Sequence, residues 1–265
     1  MRVLTWNLWW QFGDWQRRLQ AIRAVLAEVK PDICCFQEAW TGPDGNQAEL
    51  LAAEFDMFGG FAPSPGEGWR RRLPGSTAGV GNAVISRWPI AETAICHLMS
   101  EDGRNVLHAA IDAPGGRLDV FTTQFSPEPY ESAARVRQVQ DTLRFVVQQS
   151  TGAYPPILTG DLGAEADSDE VRLLGGQKTK PYLPKRVLID AWRYAETPTD
   201  GWTWDRRNPY VQATFEPSAR IDYIFVGPPA ADGRGHVERV ALVGDQAVDG
   251  VWPSHHAGIV VDLAA

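Results

Sequence analysis

Asn7, Glu38, Asp161, Asp222 and His256 are the residues of this chain whose types and settings could do chemistry together. Each ends or follows a strand-like apolar run: V-L-T-W-N, I-C-C-F-Q-E, I-L-T-G-D, R-I-D-Y-I-F and W-P-S-H-H. A polar group closing each of several hydrophobic strands is how an α/β scaffold gathers residues remote in sequence at one end of a sheet. Three carboxylates and an imidazole gathered there make a divalent-metal site with a proton acceptor beside it. Each residue taken alone has a plainer explanation. Asn7 can cap a turn, Asp222 can pair with Arg220, and His256 can be a satisfied surface histidine.

The elements that must position these groups alternate along the chain without a linker. Residues 2–8 read as a strand. Asp14 can cap a helix whose apolar residues, Trp15, Leu19, Ile22, Leu26 and Val29, follow three-four spacing. A short buried strand at 33–36 and a second helix at 46–55 follow, and 63–75, with three prolines, three glycines and three arginines, reads as a mobile loop. Strands are expected at 80–86, 91–98, 105–111 and 117–123, the last two flanking the hairpin signal Pro114-Gly115-Gly116. The strongest helical stripe spans 131–149, with Ala133, Val136, Val139, Leu143 and Val146 on one face. A strand at 157–159, a helix at 167–174, a polar loop at 175–184 and strands at 187–189, 221–226, 237–243 and 258–263 complete the set. Paired strands with interspersed helices suit an α/β fold of two packed mixed sheets covered by helices.

Six short motifs in order carry a resemblance: Trp6-Asn7, Gln37-Glu38, Gly81-Asn82-Ala83 with Ser86-Arg87, Gly160-Asp161, Arg220-Ile221-Asp222-Tyr223-Ile224, and Ser254 with His256. Together they resemble the endonuclease/exonuclease/phosphatase superfamily, the deoxyribonuclease I-like fold, over a single domain spanning 1–265. The resemblance implies a four-layer α/β sandwich and hydrolysis of a phosphoester with Mg²⁺ or Mn²⁺. It implies Glu38 as principal metal ligand with Asn7 beside it. Asp161 would hold or deprotonate water, Asp222 would orient His256, and Asn82 would make a polar contact near the substrate phosphate. The physical logic agrees, because phosphoester hydrolysis needs charge neutralised on the phosphoryl oxygens and a water activated. Mg²⁺ prefers few carboxylates and several waters, so a site centred on Glu38 suffices.

Three positions depart from the family pattern. Gln124 stands where a His is expected; it can donate a hydrogen bond but carries no charge and relays no proton. Gly163 replaces the Asn of G-D-x-N, and losing one preorganised donor costs on the order of 3 kcal/mol at a transition state. His255 replaces the Asp of S-D-H, which weakens hard-cation binding and favours a softer divalent metal. Three readings follow. The first is an attenuated or redirected phosphoester hydrolase. The second is a scaffold repurposed for other small-molecule chemistry, in which Trp9, Trp10, Trp202 or Trp204 could line a pocket. The third is an inactivated variant or binding protein.

Bulk properties bound the partner. The chain has 265 residues, 44% of them hydrophobic, and a net charge of −8, with a pI near 5.2. No global positive field draws in a polyanion, so a small phosphorylated or organic substrate is expected rather than long nucleic acid. The basic runs, Arg70-Arg71-Arg72, 178–186 and Arg206-Arg207, are short enough to be solvated loops. Cys34, Cys35 and Cys96 are expected to be free thiols, and the absence of a signal segment or a 20-residue apolar span reads as a cytoplasmic protein.

Overall fold

The structure is a computed structural model that describes residues 1–196 and 199–265. Its strands sort into two sheets. The first contains β1 (Arg2–Asn7), β2 (Ile33–Gly42), β3 (Gly45–Asn46), β4 (Phe58–Pro63), β5 (Gly79–Ser86), β12 (Val237–Val243) and β13 (Gly258–Leu263). Their order is β12-β13-β1-β2-β5-β4, with β3 paired to β2. The second contains β6 (Ile90–His97), β7 (Asn105–Ala113), β8 (Gly116–Gln124), β9 (Ile157–Asp161), β10 (Ile189–Asp190) and β11 (Asp222–Val226), ordered β10-β11-β9-β8-β7-β6. Both are mixed, because β1–β2 and β8–β9 run parallel within otherwise antiparallel neighbours.

Alternation along the central strands builds the layers. Val3, Ile33, Cys35 and Val84 of one sheet meet Leu107, Val120, Ile157 and Ile224 of the other in the inner core. The intervening Leu4, Trp6, Cys34 and Phe36 point outward onto helices α1 (Trp15–Val29) and α2 (Gln47–Glu54). On the far side Phe121, Leu158, Tyr223 and Phe225 are covered by α4 (Ser132–Gln149) and α5 (Asp169–Gly175). Helix, sheet, sheet, helix is the four-layer arrangement expected, and it follows from strands that are apolar on both faces.

Helix ends match the sequence signals. Asp14 accepts from the Arg17 amide, and Asn46 with Glu49 forms a capping box on α2. Elsewhere the chain departs from expectation. The loop at 63–75 contains a short helix, α3 (Gly68–Arg72), anchored by buried Trp69. Residues 58–63, with Gly59-Gly60 at their centre, form the edge strand β4 because β5 supplies a ladder for their backbone. The strand at 33–36 continues to Gly42 through a bulge. Short pieces at α6 (Pro209–Gln212) and a 3₁₀ turn, Ala191–Tyr194, carried no readable period.

Asp222 and His256 do not close strands as the sequence reading held. Asp222 opens β11, and His256 lies two residues ahead of β13. Both reach the same end as Asn7 and Asp161 because β11 is antiparallel to β9 and β13 to β1. An antiparallel strand starts where its neighbour finishes, so a strand's beginning serves as well as its end.

The β8–β9 pairing brings Gln124 opposite Asp161 and depends on Gly160, where a Cβ would lie 2.1 Å from the Thr123 carbonyl oxygen. That oxygen is backbone and cannot swing aside. Gly160→Ala is therefore expected to lower stability by about 3 kcal/mol in urea unfolding. A midpoint equal to that of the parent would show that the two strands separate freely.

Candidate active site

One carboxylate oxygen joins the groups from both sheets. Asp161 Oδ2 accepts from Asn7 Nδ2 at 2.9 Å and from Gln124 Nε2 at 3.1 Å, with His256 Nε2 4.0 Å away. Gln124 Nε2 also donates to Glu38 Oε1 at 2.8 Å. On the other side of the ring, His256 Nδ1 lies 2.6 Å from Asp222 Oδ2. Glu38, Gln124, Asp161, His256 and Asp222 are thus one continuous buried chain. Asp222 pairs with this histidine and not with Arg220, whose guanidinium binds Asp190 instead at 2.8 Å.

The electrostatics of the His256–Asp222 pair favour a protonated ring. Burial alone would lower the imidazole pKa, but the charges of Asp222 and Asp161 and the hydrogen bond to Asp222 raise it to about 9. Burial raises the Asp222 pKa, against the pull of His256. The arrangement can therefore offer a phosphoryl oxygen a positively charged N–H donor at neutral pH.

Local backbone devices aim the groups. Phe36 pairs with Ala83 and Ala39 with Gly81, so Gln37 and Glu38 together oppose Asn82 in a bulge, with Glu38 at φ 52°. A bulge re-aims a side chain out of the regular alternation, here Glu38 toward Gln124. Gln37 Nε2 donates to Thr5 and Thr122 and so links the two sheets beneath the site. Asn7 is held by the Trp9 amide, which donates to its Oδ1 at 2.9 Å. Thr203 Oγ1 accepts from the Ile221 and Asp222 amides, and its carbonyl accepts from the Ala257 amide, tying the two ends of the dyad together.

Arg18 is the main residue that sequence reading missed. It is 1% exposed and donates to five backbone carbonyls, those of Leu8, Trp9, Trp10, Phe12 and Pro253. Burial draws its pKa down to about 10. The guanidinium fastens the segment after Asn7 to the one before Ser254, whose hydroxyl in turn donates to the Asn7 carbonyl at 2.6 Å. Nothing in a helical arginine marks it for this task. Its place on the inward stripe, one residue before Leu19, is the only sign.

The unusual positions take definite places. Both N–H groups of Gln124 are committed to carboxylates, so it holds Glu38 and Asp161 together instead of facing a phosphate. Gly163 lines the cleft at φ 56° and donates its amide to Asp161 Oδ1. His255 stacks on Trp9 at 4.8 Å and meets Trp204 edge-on at 5.0 Å. Burial, then the charges of His256 and Arg18, hold its pKa well below the usual value, so the ring is neutral with Nε2 free of any described partner. Asn82 is buried with its amide on Asn105 and is not among the described residues lining the cleft. Of the tryptophans singled out, Trp204 lines the cleft, Trp9 backs His255, Trp10 packs against Trp69, and Trp202 is exposed away from that lining.

The cleft around the site has a volume of about 680 Å³. Glu128, Glu165, Asp167 and Glu216 lie on its walls, with Arg72 the cation not engaged by Glu170 or the dyad.

A family model described as Endonuclease/Exonuclease/phosphatase family matches residues 4–254. The chain belongs to that family. A putative neutral sphingomyelinase of Drosophila melanogaster is 26% identical over 260 residues, covering 85% of this chain and 52% of that protein. The chain therefore spans about half the length of this relative. Among solved structures, D. rerio TDP2 complexed with single strand DNA product superposes with a TM-score of 0.79 at 20% identity, covering 100% of this chain and 99% of that one. The human Nocturnin catalytic domain with bound sulfate anion gives 0.75 at 19%, covering 100% and 94%. An endonuclease/exonuclease/phosphatase protein from Beutenbergia cavernae gives 0.72 at 24%, covering 99% and 71%. These structural likenesses establish the shared fold.

The donor set suits a divalent cation. Glu38 Oε2 is buried with no partner among the described residues, a carboxylate oxygen at the cleft that a cation would satisfy. Asn7 Oδ1 keeps one lone pair beyond the Trp9 amide. Asp161, Asp222 and His256 also place ligand atoms within 4.8 Å of one another, but two of those are already bonded to each other. The free His255 nitrogen is the donor that a softer metal would prefer.

Two measurements check this geometry. In metal-free protein, the His256 ring is expected to titrate near pH 9 by NMR, and Asp222→Asn should bring it down because the largest raising charge and its hydrogen bond are gone. A folded-state pKa above the unfolded value means the pair stabilises fully below pH 6.5 and loses this contribution as pH rises through about 9. A midpoint near 6.5 in the parent would sink the protonated-ring assignment. For the clamp, Arg18→Met strands buried carbonyls and should cost about 3 kcal/mol or more in chemical unfolding.

Proposed function

We propose that the protein is a divalent-metal-dependent hydrolase of a small phosphoester, with activity attenuated by its altered site. The observation that carries this reading is the unpartnered buried oxygen of Glu38 beside the Asp161–His256–Asp222 chain. Glu38 and Asn7 would hold Mg²⁺ or Mn²⁺, which when bound neutralises phosphoryl charge. Asp161, fixed by Asn7, Gln124 and the Gly163 amide, orients the attacking water and takes its proton. His256 offers its Nε2–H as a charged hydrogen-bond donor to a phosphoryl oxygen, and Asp222 keeps the ring charged and correctly turned. Gln124 keeps the two carboxylates in register, and Gly163 leaves room where the family has an amide donor. Asn82, bonded to Asn105 outside the residues that line the cleft, supports the strands behind the site and does not touch phosphate.

Substrate size follows from charge. The carboxylates on the cleft wall repel a polymer of phosphates, so long nucleic acid is the weaker candidate although D. rerio TDP2 was solved with single strand DNA product. A small phosphodiester also fits the likeness to a putative neutral sphingomyelinase. Among the described residues no helix is long and apolar enough to cross a membrane.

Turnover of bis(p-nitrophenyl) phosphate with Mg²⁺ or Mn²⁺ tests the reading. Glu38→Gln should lower it by about 10²–10³, and Gly163→Asn should raise it by as much as roughly 10²–10³ by restoring one donor. Asn tolerates the positive φ at 163, and its Cβ would lie 3.1 Å from the Ser126 carbonyl, a contact that small shifts relieve. Hydrolysis that persists in full under chelation would overturn the metal-dependent mechanism and favour other chemistry on the same scaffold. An inert parent that becomes active only with Gln124→His, Gly163→Asn and His255→Asp together would mark it as an inactivated binding protein.

A further inference from the structure

Beside the main cleft lies a second cavity of about 410 Å³. The two share Arg72, Pro127 and Glu128 in their linings, so they are adjoining compartments. At the base of the second sits Arg104, immediately before β7 and only 1% exposed. Its Nη2 binds Asp102 Oδ2 at 3.1 Å, while Nε and Nη1 have no partner among the described residues. A guanidinium taken out of water with most of its N–H groups unused is costly unless something else occupies them.

The surroundings hold that guanidinium rigidly. The Trp69 ring carries Arg104 at 4.8 Å and Arg72 at 4.9 Å from its centroid, and its Nε1 donates to the Asp102 carbonyl at 3.1 Å. Arg72 shares the same Asp102 oxygen at 3.0 Å. Gly68 packs so closely that a Cβ there would meet Asp102 Oδ1 at 1.8 Å. Two arginines therefore compete for one carboxylate on a fixed aromatic plate. Arg71 is paired with Glu101 at the surface, and Glu128 and Glu131 also line the cavity, so the attraction for an anion is confined to the Arg72 and Arg104 end. Burial lowers the Arg104 pKa, while Asp102, Glu38 and Asp161 act in the opposite sense, so this cation lies within the field of the candidate active site.

We propose that Arg104 and Arg72 form a second anion subsite, receiving another phosphate group of a substrate whose reacting phosphate lies beside Glu38 and His256. The proposal rests on the phosphoester reading above and narrows it: the substrate is a small molecule carrying two phosphates rather than one. Planar guanidinium groups with free N–H edges match phosphate geometry, and burial strengthens the contact.

The test pairs two esters that differ by one phosphate: the p-nitrophenyl ester of thymidine 5′-phosphate, with and without a 3′-phosphate. The parent should cleave the 3′-phosphorylated ester with a KM about tenfold to a hundredfold lower, from one charge-assisted contact. Arg72→Gln, a partly exposed position safe for folding, and Arg104→Gln should each erase most of that difference while leaving the plain ester within about threefold. Equal KM values in the parent, or equal losses on both esters, overturn the proposal. Binding of inorganic phosphate to metal-free protein, followed by calorimetry, separates the two readings. If phosphate binding is lost in both variants but neither ester is cleaved with any metal, the subsite stands and the hydrolase reading falls. If phosphate binding is insensitive to both substitutions, the subsite falls whatever the turnover. Phosphate binding lost in the variants without any ester preference in the parent would make it a site for free phosphate, and the two-phosphate substrate would be rejected.

Discussion

Negative charge gathered out of water is the constraint around which this molecule is arranged. Glu38, Asp161 and Asp222 are each less than a tenth exposed and belong to one chain of hydrogen bonds and a 4.0 Å contact between His256 and Asp161. Only His256 within that chain can carry a positive charge. Carboxylates held this way repel one another unless donors and cations intervene. The amides of Asn7 and Gln124 serve as donors, and His256 serves as the cation with its pKa drawn up to about 9. One Glu38 oxygen remains unsatisfied. That residue of charge is why a divalent cation belongs in the account of this site.

Holding such a cluster requires that the strand ends cannot drift apart. Two parallel pairs, β1–β2 and β8–β9, point their ends toward one another from separate sheets. Gln37 joins the sheets through Thr5 and Thr122 immediately below, and Arg18 secures the segments at either flank through carbonyls alone. A carboxylate partner for Arg18 would have added yet another negative charge. Five neutral acceptors stabilise the guanidinium without altering the balance above.

Much of this was legible in the residues, and the failures have physical causes. The two-faced apolar strands revealed the layers, and five of the six ordered motifs named groups that lie together, whereas Asn82 of the remaining motif is bonded to Asn105 outside the cleft lining. Asp222 and His256 were read as strand ends, yet they begin or precede strands, because composition does not record direction. The edge strand β4 was invisible because Gly59 and Gly60 carry no hydrophobic signal, and only the ladder offered by β5 makes them extended. Glu38 was found by motif, but its bulge was not, since a positive φ at a glutamate leaves no trace in a sequence. Arg18 and Arg104 were missed for a common reason. A buried arginine is written the same way as a solvated one until its surroundings are known.

Gln124 shows why a departure from a family pattern must be judged within its charge environment. A histidine at this position could bring a positive charge between Glu38 and Asp161. Glutamine offers the same two oxygens an N–H each without it. The neutral amide leaves the carboxylates more negative, which strengthens their hold on a cation and weakens any direct attraction for phosphate. His255 acts in the opposite sense, for it replaces an acid with a neutral ring wedged between Trp9 and Trp204 and so removes negative charge from the site. Arg72 lines this cleft as well as the neighbouring cavity, and its sharing of Asp102 with Arg104 joins the two compartments.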